Sequence, residues 1–411
     1  MAPFPLPLAD LLGHWGQYVV YLLIGIAFGF ALEMSGFANA PKLAAQFYFK
    51  DMTVLKVMFG AIVVAMVLVF LASAVGLLDY YLVYVNPTFL WPGIVGGLIM
   101  GVGFILGGFC PGTSLVSMAV GKIDGIIFVL GVLFGIFAFG ETVSFYEGFW
   151  YSSYMGRFTI PEWLGLPYGV VVVMIVFMAL FMFWGAEQLE KIFGGRDLSK
   201  EPKWRYYAGG TLVAGAFLVA FLGQPTTADK WARMEAVESQ RLANREVQIH
   251  PAELLKTMND DTLILKILDV RSEADYNQFH IRDAVHAPIE TIPAMLDDLR
   301  ELPENAVIAV VGNDEAAATE AWKLLRAESA RNAYILEGGI NNWIRTFGEA
   351  EFVAANALPN AADDQPAFRF PTALGAGYIM SAPASGLVNQ FDFTPKIVLE
   401  LKRGPGGGGC G

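Results

Sequence analysis

Long apolar runs dominate the first half of the chain, and short polar segments separate them. Each run approaches or exceeds the roughly 20 residues that a helix needs to cross the hydrocarbon core of a membrane. The runs cover residues 18–34, 54–78, 93–109, 123–145, 168–186 and 206–222. This pattern predicts an all-α membrane part with about six transmembrane helices over residues 1–223, surrounded by membrane lipid.

The pattern changes after residue 223. Residues 224–249 are charged, and their apolar residues recur at helical spacing, which predicts a connecting helix or a helix on the membrane surface. From residue 250 onwards, short apolar strand-like segments alternate with a helical segment. The predicted strands are residues 263–271, 307–311 and 332–336, and the predicted helix is residues 316–328. This order predicts a small soluble α/β domain with a parallel sheet over residues 250–350.

The end of the chain has a different composition. Residues 351–390 are rich in alanine, proline and glycine, and residues 351–411 are therefore predicted as an extended segment that lies over the domain or over a partner. Residues 391–401 alternate between apolar and polar positions and could add a strand. The last residues place Cys410 on a glycine-rich tail, where it could serve as a mobile sulfur carrier or as a covalent anchor, or have no role.

Composition narrows the chemistry. The formal net charge of −12 argues against a nucleic acid partner, because nucleic acid binding relies on basic surfaces. Two cysteines and four dispersed histidines give neither a disulfide framework nor a metal-ligand spacing, so we expect no metal and no cofactor. Basic residues concentrate in alternate loops, and the positive-inside rule then places both termini on the periplasmic side of the cell inner membrane.

The membrane part contains an internal repeat. Residues 25–38, with Gly-x-x-x-Gly and then Ser-Gly-Phe-Ala, recur 72 residues later as residues 97–110, with Gly-x-x-x-Gly and then Gly-Gly-Phe-Cys. Lys50 recurs as Lys122 at the same spacing. Transporters often build their sites from such repeats, where interrupted helices of the two copies meet.

The second copy must contain a helix break. Pro111 cannot donate to a helical ladder, and Gly108 and Gly112 tolerate unusual dihedral angles. Thr113 or Ser114 could cap the helix that resumes. Residues 93–111 could therefore cross the membrane as a broken helix or form a re-entrant hairpin, which would change the number of crossings.

The break is also the candidate anion site. The first turn of the resumed helix offers free N–H groups and the positive end of a helix dipole, and Cys110 adds a soft thiol donor. Alternatively, the glycines only permit close helix packing, and Cys110 is a small apolar filler. Glu33 and Glu141 are further candidates for the pathway, because charges at membrane depth are costly and usually functional. Other charges, Lys122 among them, fall at span ends and are expected to be solvated.

The motif Gly-x-x-x-Gly…Gly-Gly-Phe-Cys-Pro-Gly-Thr, with its partner Ser-Gly-Phe, resembles the YeeE/YedE family of membrane proteins over residues 18–147. That family includes thiosulfate transporters, and the resemblance implies that thiols along a central path pass a sulfur oxyanion inward. Only Cys110 carries over to this chain. Ala38 stands at the equivalent position of the first copy, so the multi-cysteine relay is absent unless another subunit completes it.

Residues 251–349 resemble a rhodanese domain, with Leu-Asp-Val-Arg at 268–271 and Leu-Glu-Gly-Gly-Ile-Asn-Asn-Trp at 336–343. A working rhodanese carries a cysteine after the central strand, at the head of a loop that holds the persulfide. Gly312 occupies that position here, and the loop continues with Asn313, Asp314 and Glu315. Two carboxylates would repel an anionic substrate, so sulfurtransferase activity is not expected. Asp269 and Arg271 are expected to be structural.

Two functions remain open at this point. In the first, the repeat forms a path for a thiosulfate-like anion past Cys110, and the rhodanese-like domain docks a persulfide or thiosulfate donor. In the second, the chain is a non-transporting anchor or scaffold subunit of a larger respiratory or sulfur-metabolising complex, with other membrane or periplasmic subunits as partners. A sulfur-carrier role for Cys410 is a third, weaker alternative.

Overall fold

A computed structural model describes residues 4–6, 8–83, 85–195, 197, 203–303, 305–359 and 361–399. They group into two compact units, a membrane unit that ends at Gln224 and a C-terminal unit that begins at Pro225. Cys410 lies outside the described residues.

The membrane unit is all-α. Its longer helices are α1 (Leu8–Met34), α3 (Thr53–Ala74), α4 (Leu90–Gly107), α5 (Pro111–Ala119), α6 (Ile123–Thr142), α9 (Tyr168–Phe193) and α10 (Trp204–Leu222), and its short helices are α2 (Ala40–Ala44), α7 (Glu147–Trp150) and α8 (Ile160–Leu164). With α4 and α5 taken as one interrupted span, the described part of the chain has six helices long and apolar enough to cross a membrane. The predicted number of spans is confirmed.

Helix α9 continues well beyond its predicted end at residue 186, because a charged residue in its last turns is buried and paired. Glu190 is fully buried, and its carboxylate accepts hydrogen bonds from Lys56 Nζ at 2.6 Å and from the backbone N–H of Met52 at 2.6 Å. The carboxylate thus satisfies a donor at the start of α3. A hydropathy profile would end the span before Glu190, but this residue connects α9 to α3.

Helices α3, α9 and α10 form one apolar core around small branched side chains, including Val63, Val176 and Val219. A separate cluster joins the two copies of the repeat. Each copy has the same order of elements, a long helix, a short helix and a long helix: α1, α2 and α3 in the first copy, and α4, α5 and α6 in the second. The predicted repeat is therefore visible in the backbone.

The C-terminal unit is built on a parallel five-stranded sheet, in the order β1-β5-β4-β2-β3. The strands are β1 (Gln248–Ile249), β2 (Ile264–Asp269), β3 (Ala284–His286), β4 (Ala306–Val311) and β5 (Ala333–Leu336). The helices are α11 (Thr227–Ala243), α12 (Pro251–Met258), α13 (Glu273–Gln278), α14 (Ile292–Glu301), α15 (Ala316–Ala327), α16 (Gly339–Phe347) and α17 (Ala350–Asn356). The predicted α/β class is confirmed. The edge strands β1 and β3 were not predicted, because two or three residues show no alternation.

Helix α11, predicted as a connector or a membrane-surface helix, packs on α15 of the C-terminal unit. Trp231 meets Trp322 edge to face, and Met234 is buried. A buried ion pair joins Arg326 to Glu238 at 2.9 Å. The apolar stripe of this helix therefore faces the sheet domain.

The strand predicted over residues 391–401 is not present in its described part, residues 391–399. The backbone of this extended segment forms hydrogen bonds with side chains and not with a neighbouring strand. The carboxylate of Glu253 accepts the N–H groups of Lys396 and Ile397 at 2.6 and 2.8 Å. The hydroxyl of Tyr334 bonds to both backbone groups of Val398. Alternation alone could not distinguish this arrangement from a strand.

Candidate functional site

The helix break predicted in the second copy is present. Helix α4 ends at Gly107, its C-cap Gly108 has a φ of +73° in the left-handed region, and α5 begins at Pro111. A side chain at residue 108 would be strained by that φ, and its Cβ would lie 3.0 Å from Ala40 Cβ of the first copy. Glycine is required here for the conformation and for the close approach.

Cys110 is the N-cap of α5, so the prediction that Thr113 or Ser114 caps this helix is wrong for the N-cap itself, although the side chain of Thr113 takes part in the cap. Thr113 N–H donates to Cys110 Sγ at 3.4 Å, and Cys110 N–H donates to Thr113 Oγ1 at 3.0 Å. This reciprocal pair has the geometry of a capping box with a thiol in place of the usual hydroxyl. Ser114 turns its hydroxyl back to the Pro111 carbonyl at 2.7 Å.

The cap determines which donors remain for a ligand. Thr113 N–H is bonded to the thiol, and Ser114 N–H to the Cys110 carbonyl at 3.0 Å. Gly112 N–H has no acceptor among the described residues. The first turn therefore offers fewer free donors than the sequence suggested, but the half-buried Cys110 thiol lies directly at the positive end of α5.

The interruptions of the two copies meet. Phe37 and Phe109, which are equivalent in the repeat, are both fully buried in one cluster with Leu43 and Val54. Gly36 has nearly the same left-handed conformation as Gly108, with φ of +76°. The break in the first copy thus packs against the break in the second, as expected of repeats that build a shared site.

Two lysines bind the turn of the first copy, residues 35–38. Lys42 Nζ donates to the Ser35 carbonyl at 2.8 Å. Lys122 Nζ reaches from the second copy to the Ala38 carbonyl at 3.1 Å and to the side-chain oxygen of Asn39. The prediction that Lys122 is simply solvated at a span end is therefore wrong. Sequence reasoning missed both lysines, because these contacts join residues that are not neighbours in sequence or that belong to different copies of the repeat.

Glu33 and Glu141 are exposed and lie in the last turns of α1 and α6. Within the described residues, no side-chain hydrogen bond or ion pair connects either carboxylate to the turn at Cys110. The structure thus joins Cys110 and Thr113 in one capping box, and two lysines bind the turn of the first copy, but it does not bring the two predicted carboxylates to the turn at Cys110.

The loop after strand β4 in the C-terminal unit carries Gly312, Asn313, Asp314 and Glu315, and internal partners bind it. Glu315 pairs with Arg245 at 2.7 Å and accepts the N–H of Gly338 at 2.8 Å. The hydrogen bond to Glu315 raises the pKa of Arg245 above its usual value. Arg245, which sequence reasoning missed, therefore neutralises part of the charge that was expected to repel an anion.

The C-terminal segment covers the same loop. Asp364 N–H donates to Asp314 Oδ2 at 2.6 Å, and Asn313 Nδ2 donates to the Asp364 carbonyl at 3.1 Å. Burial, and then the nearby charge of Asp314, raise the pKa of Asp364. Beside this loop, Arg271 and Asn313 line a crevice together with residues of α16 and of the C-terminal segment.

Asp269 and Arg271 form a bidentate pair inside the C-terminal unit. Arg271 Nε and Nη2 donate to the two carboxylate oxygens of Asp269 at 2.9 and 2.6 Å, and Nη2 also donates to the Phe279 carbonyl at 2.6 Å. Both side chains are at most 2% exposed. These contacts hold the end of β2 against the segment that follows α13. Among the described residues, no group of three or more His, Cys, Asp or Glu side chains could hold a metal ion.

Comparison with known proteins agrees with both halves of this description. A family model described as Sulphur transport matches residues 34–239, and a model described as Rhodanese-like domain matches residues 250–346. The chain is 27% identical over 220 residues to a curated relative named Thiosulfate transporter TsuA, from Spirochaeta thermophila. The match covers 49% of this chain and 61% of that relative, so the chain spans about three fifths of its length. No solved structure matches.

Proposed function

This chain belongs to the Sulphur transport family, and from that membership we propose that its membrane unit moves a thiosulfate-like anion across the cell inner membrane, past the thiol of Cys110. The observation that carries the proposal is the meeting of the two helix interruptions, with the Cys110 thiol at one of them. Irregular backbone at membrane depth is tolerated only where protein surrounds it or where it lines a water-filled cavity.

The groups at this place suit a sulfur oxyanion. The thiol is a weak, polarisable donor that can face the terminal sulfur of thiosulfate. Gly112 N–H and the positive end of α5 favour the negative oxygens. Weak donors are an advantage on a transport path, because an anion that is bound too tightly is not released.

The first test is uptake of labelled thiosulfate by cells that lack other thiosulfate transporters. Cys110→Ser is the informative variant, because serine is a good N-cap and keeps the capping box while it removes the thiol. We expect uptake by this variant to fall at least about tenfold, the equivalent of about 1.4 kcal/mol. Cys110→Ala should lose at least as much, since it removes the cap as well.

Cys410→Ser is the matched control, because it removes the other thiol of the chain and should keep wild-type uptake. All variants are compared at equal amounts of protein in the membrane. Wild-type uptake no greater than that of empty cells, or unchanged uptake by Cys110→Ser, would contradict the proposal.

A second candidate function is an anchor or scaffold subunit of a larger complex. The occupied loop of the C-terminal unit and the single thiol of the repeat favour this alternative. Purification of the full chain under mild conditions with a stoichiometric set of other subunits, in cells that show no thiosulfate uptake, would support it.

We further propose that the C-terminal unit docks a periplasmic partner and does not transfer sulfur. Gly312→Cys tests this, because it restores a cysteine at the position where a rhodanese carries one. A Cβ at residue 312 would lie 2.8 Å from the Asp314 carbonyl, and the C-terminal segment covers the loop. We expect thiocyanate formation from thiosulfate and cyanide to stay at background in the full-length variant.

An active rhodanese assayed in the same detergent is the positive control for that measurement. Serine at residue 312 is the matched variant, since it introduces the same Cβ without a thiol. Thiocyanate formation by Gly312→Cys above the rate of Gly312→Ser would show that the loop can still cradle a persulfide.

A further inference from the structure

The two copies of the repeat carry different chemistry at equivalent positions. In the register of 72 residues, Ala38 corresponds to Cys110, and Lys42 corresponds to Ser114. The second copy thus has a thiol and a hydroxyl where the first copy has a methyl group and an ammonium group. The first copy has no thiol at this position but carries a positive charge one turn further on.

The ammonium groups of Lys42 and Lys122 both bind neutral acceptors of the first copy. Lys42 Nζ binds the Ser35 carbonyl, and Lys122 Nζ binds the Ala38 carbonyl and the Asn39 amide oxygen. In the part of the chain that the structure describes, neither lysine forms an ion pair with a carboxylate. The same four-residue turn is therefore held between two positive charges that no carboxylate of the described residues neutralises.

Nearby lysines behave differently. Lys50, which corresponds to Lys122 in the register, is exposed, and its side chain makes no hydrogen bond to the described residues. Lys56 is neutralised by the buried Glu190 at 2.6 Å. Lys122 therefore contacts the opposite copy of the repeat, whereas the side chains of Lys50 and Lys56 form no hydrogen bond to it within the described residues.

We infer that Lys42 and Lys122 supply the positive charge of the anion path, in place of the thiol that the first copy lacks. This inference rests on the transport function proposed above and names two residues that would bind the anion, one in each copy of the repeat. The ammonium groups would bind the anion where its path passes the turn at residues 35–38, which packs against the break beside Cys110.

The hydrogen-bonding capacity of the two lysines permits this arrangement. An ammonium group has three donors, of which Lys122 uses two and Lys42 uses one in the contacts above. An anion can bind the remaining donors without breaking the turn. An anionic oxygen also attracts the ammonium charge, which a neutral carbonyl does only through its dipole, so the remaining donors favour an arriving anion.

The first experiment measures the concentration dependence of thiosulfate uptake. Lys122→Met and Lys42→Met each remove one charge and keep an unbranched apolar side chain, and Lys50→Met is the matched control at the register position of Lys122. We expect KM to rise at least tenfold in each of the first two variants, and to stay within twofold in Lys50→Met. Lys122→Arg keeps the charge and should recover most of the affinity.

A second readout separates anion binding from a purely structural role of the lysines. In a Cys410→Ser background, Cys110 is the single thiol of the chain, and its alkylation by a maleimide can be followed in purified protein. We expect thiosulfate to slow this alkylation at least threefold in the parent protein and in Lys50→Met. The protection should be lost in Lys122→Met, and chloride at the same ionic strength should protect none of the proteins.

The outcomes distinguish this inference from the function on which it rests. If the parent protein shows neither uptake nor protection by thiosulfate, both the proposed function and this inference fail. If Cys110→Ser abolishes uptake but Lys122→Met and Lys42→Met match Lys50→Met in KM and in protection, only this inference fails. A lower thermal stability with unchanged KM would assign the lysines to the structure alone.

Discussion

Replacement of Gly339 by alanine is expected to destabilise the C-terminal unit by about 2–5 kcal/mol, from the cost of a left-handed residue and of overpacking. Gly339 has a φ of +59°, and its Cβ would lie 2.6 Å from each of three backbone carbonyls, those of Gly312, Asn313 and Asp314. Backbone atoms cannot rotate away as a flexible side chain can. The loop after β4 or the start of α16 would have to move.

Hydrogen exchange of the full chain in detergent measures this effect. Exchange of the β4 amides, Ala306–Val311, reports opening of the sheet, and 2–5 kcal/mol corresponds to an acceleration of about 30-fold to several thousand-fold. Gly386→Ala is the matched control, because a Cβ there meets nothing within 4 Å and its φ is not positive. Equal exchange of β4 in the two variants would contradict the prediction.

The two residues after Gly339 bind the same loop, which bears on the function of the C-terminal unit. Ile340 N–H donates to the Gly312 carbonyl at 2.9 Å, and Asn341 N–H donates to the Asn313 carbonyl at 3.1 Å. The start of α16 thus fixes the loop backbone from one side, while Asp364 binds it from the other. A loop held from both sides favours a surface that a partner recognises over a site that a small anion enters.

Much of the fold could be predicted because its signals are local. Apolar runs of about 20 residues identified the spans, and the offset of 72 residues between Gly36 and Gly108 identified the repeat. The break at Pro111 follows from the missing N–H of proline. The buried strands β2, β4 and β5 follow from runs of branched apolar residues flanked by polar turns.

The features that were missed depend on contacts between residues distant in sequence. Lys122 contacts Ala38, 84 residues earlier, and Glu190 binds Lys56, 134 residues earlier. A hydropathy profile assigns such charges to the ends of spans, because it contains no information about their hydrogen-bond or ion-pair partners. Arg245 likewise precedes the sheet in sequence and reaches a loop that begins 67 residues later.

The thiol cap of α5 shows the same limit at short range. Serine, threonine, aspartate and asparagine are the preferred N-cap residues, so Thr113 and Ser114 were the natural candidates. Pro111 decides otherwise, because proline at the first helical position makes the preceding residue, Cys110, the cap. The thiol is therefore fixed in place by the turn that it closes.

Replacement of Arg271 by methionine is expected to destabilise the C-terminal unit by about 3–5 kcal/mol, the usual cost of removing one partner of a buried ion pair. The change leaves the carboxylate of Asp269 buried without its two side-chain donors and leaves the Phe279 carbonyl without the guanidinium. Among the described residues, the Asp269 carboxylate would keep one donor, the backbone N–H of residue 271, at 3.2 Å in the native protein. One weak hydrogen bond cannot compensate for a buried charge.

The double variant Asp269→Leu with Arg271→Met separates lost pairing from lost packing. Replacing a whole buried pair by apolar residues is often close to neutral, so the double variant should be more stable than Arg271→Met alone. Arg282→Met is the matched control at an exposed arginine of the same unit and should change stability by no more than about 0.5 kcal/mol. If hydrogen exchange of β4 is as slow in Arg271→Met as in Arg282→Met, then Arg271 is not needed for the fold.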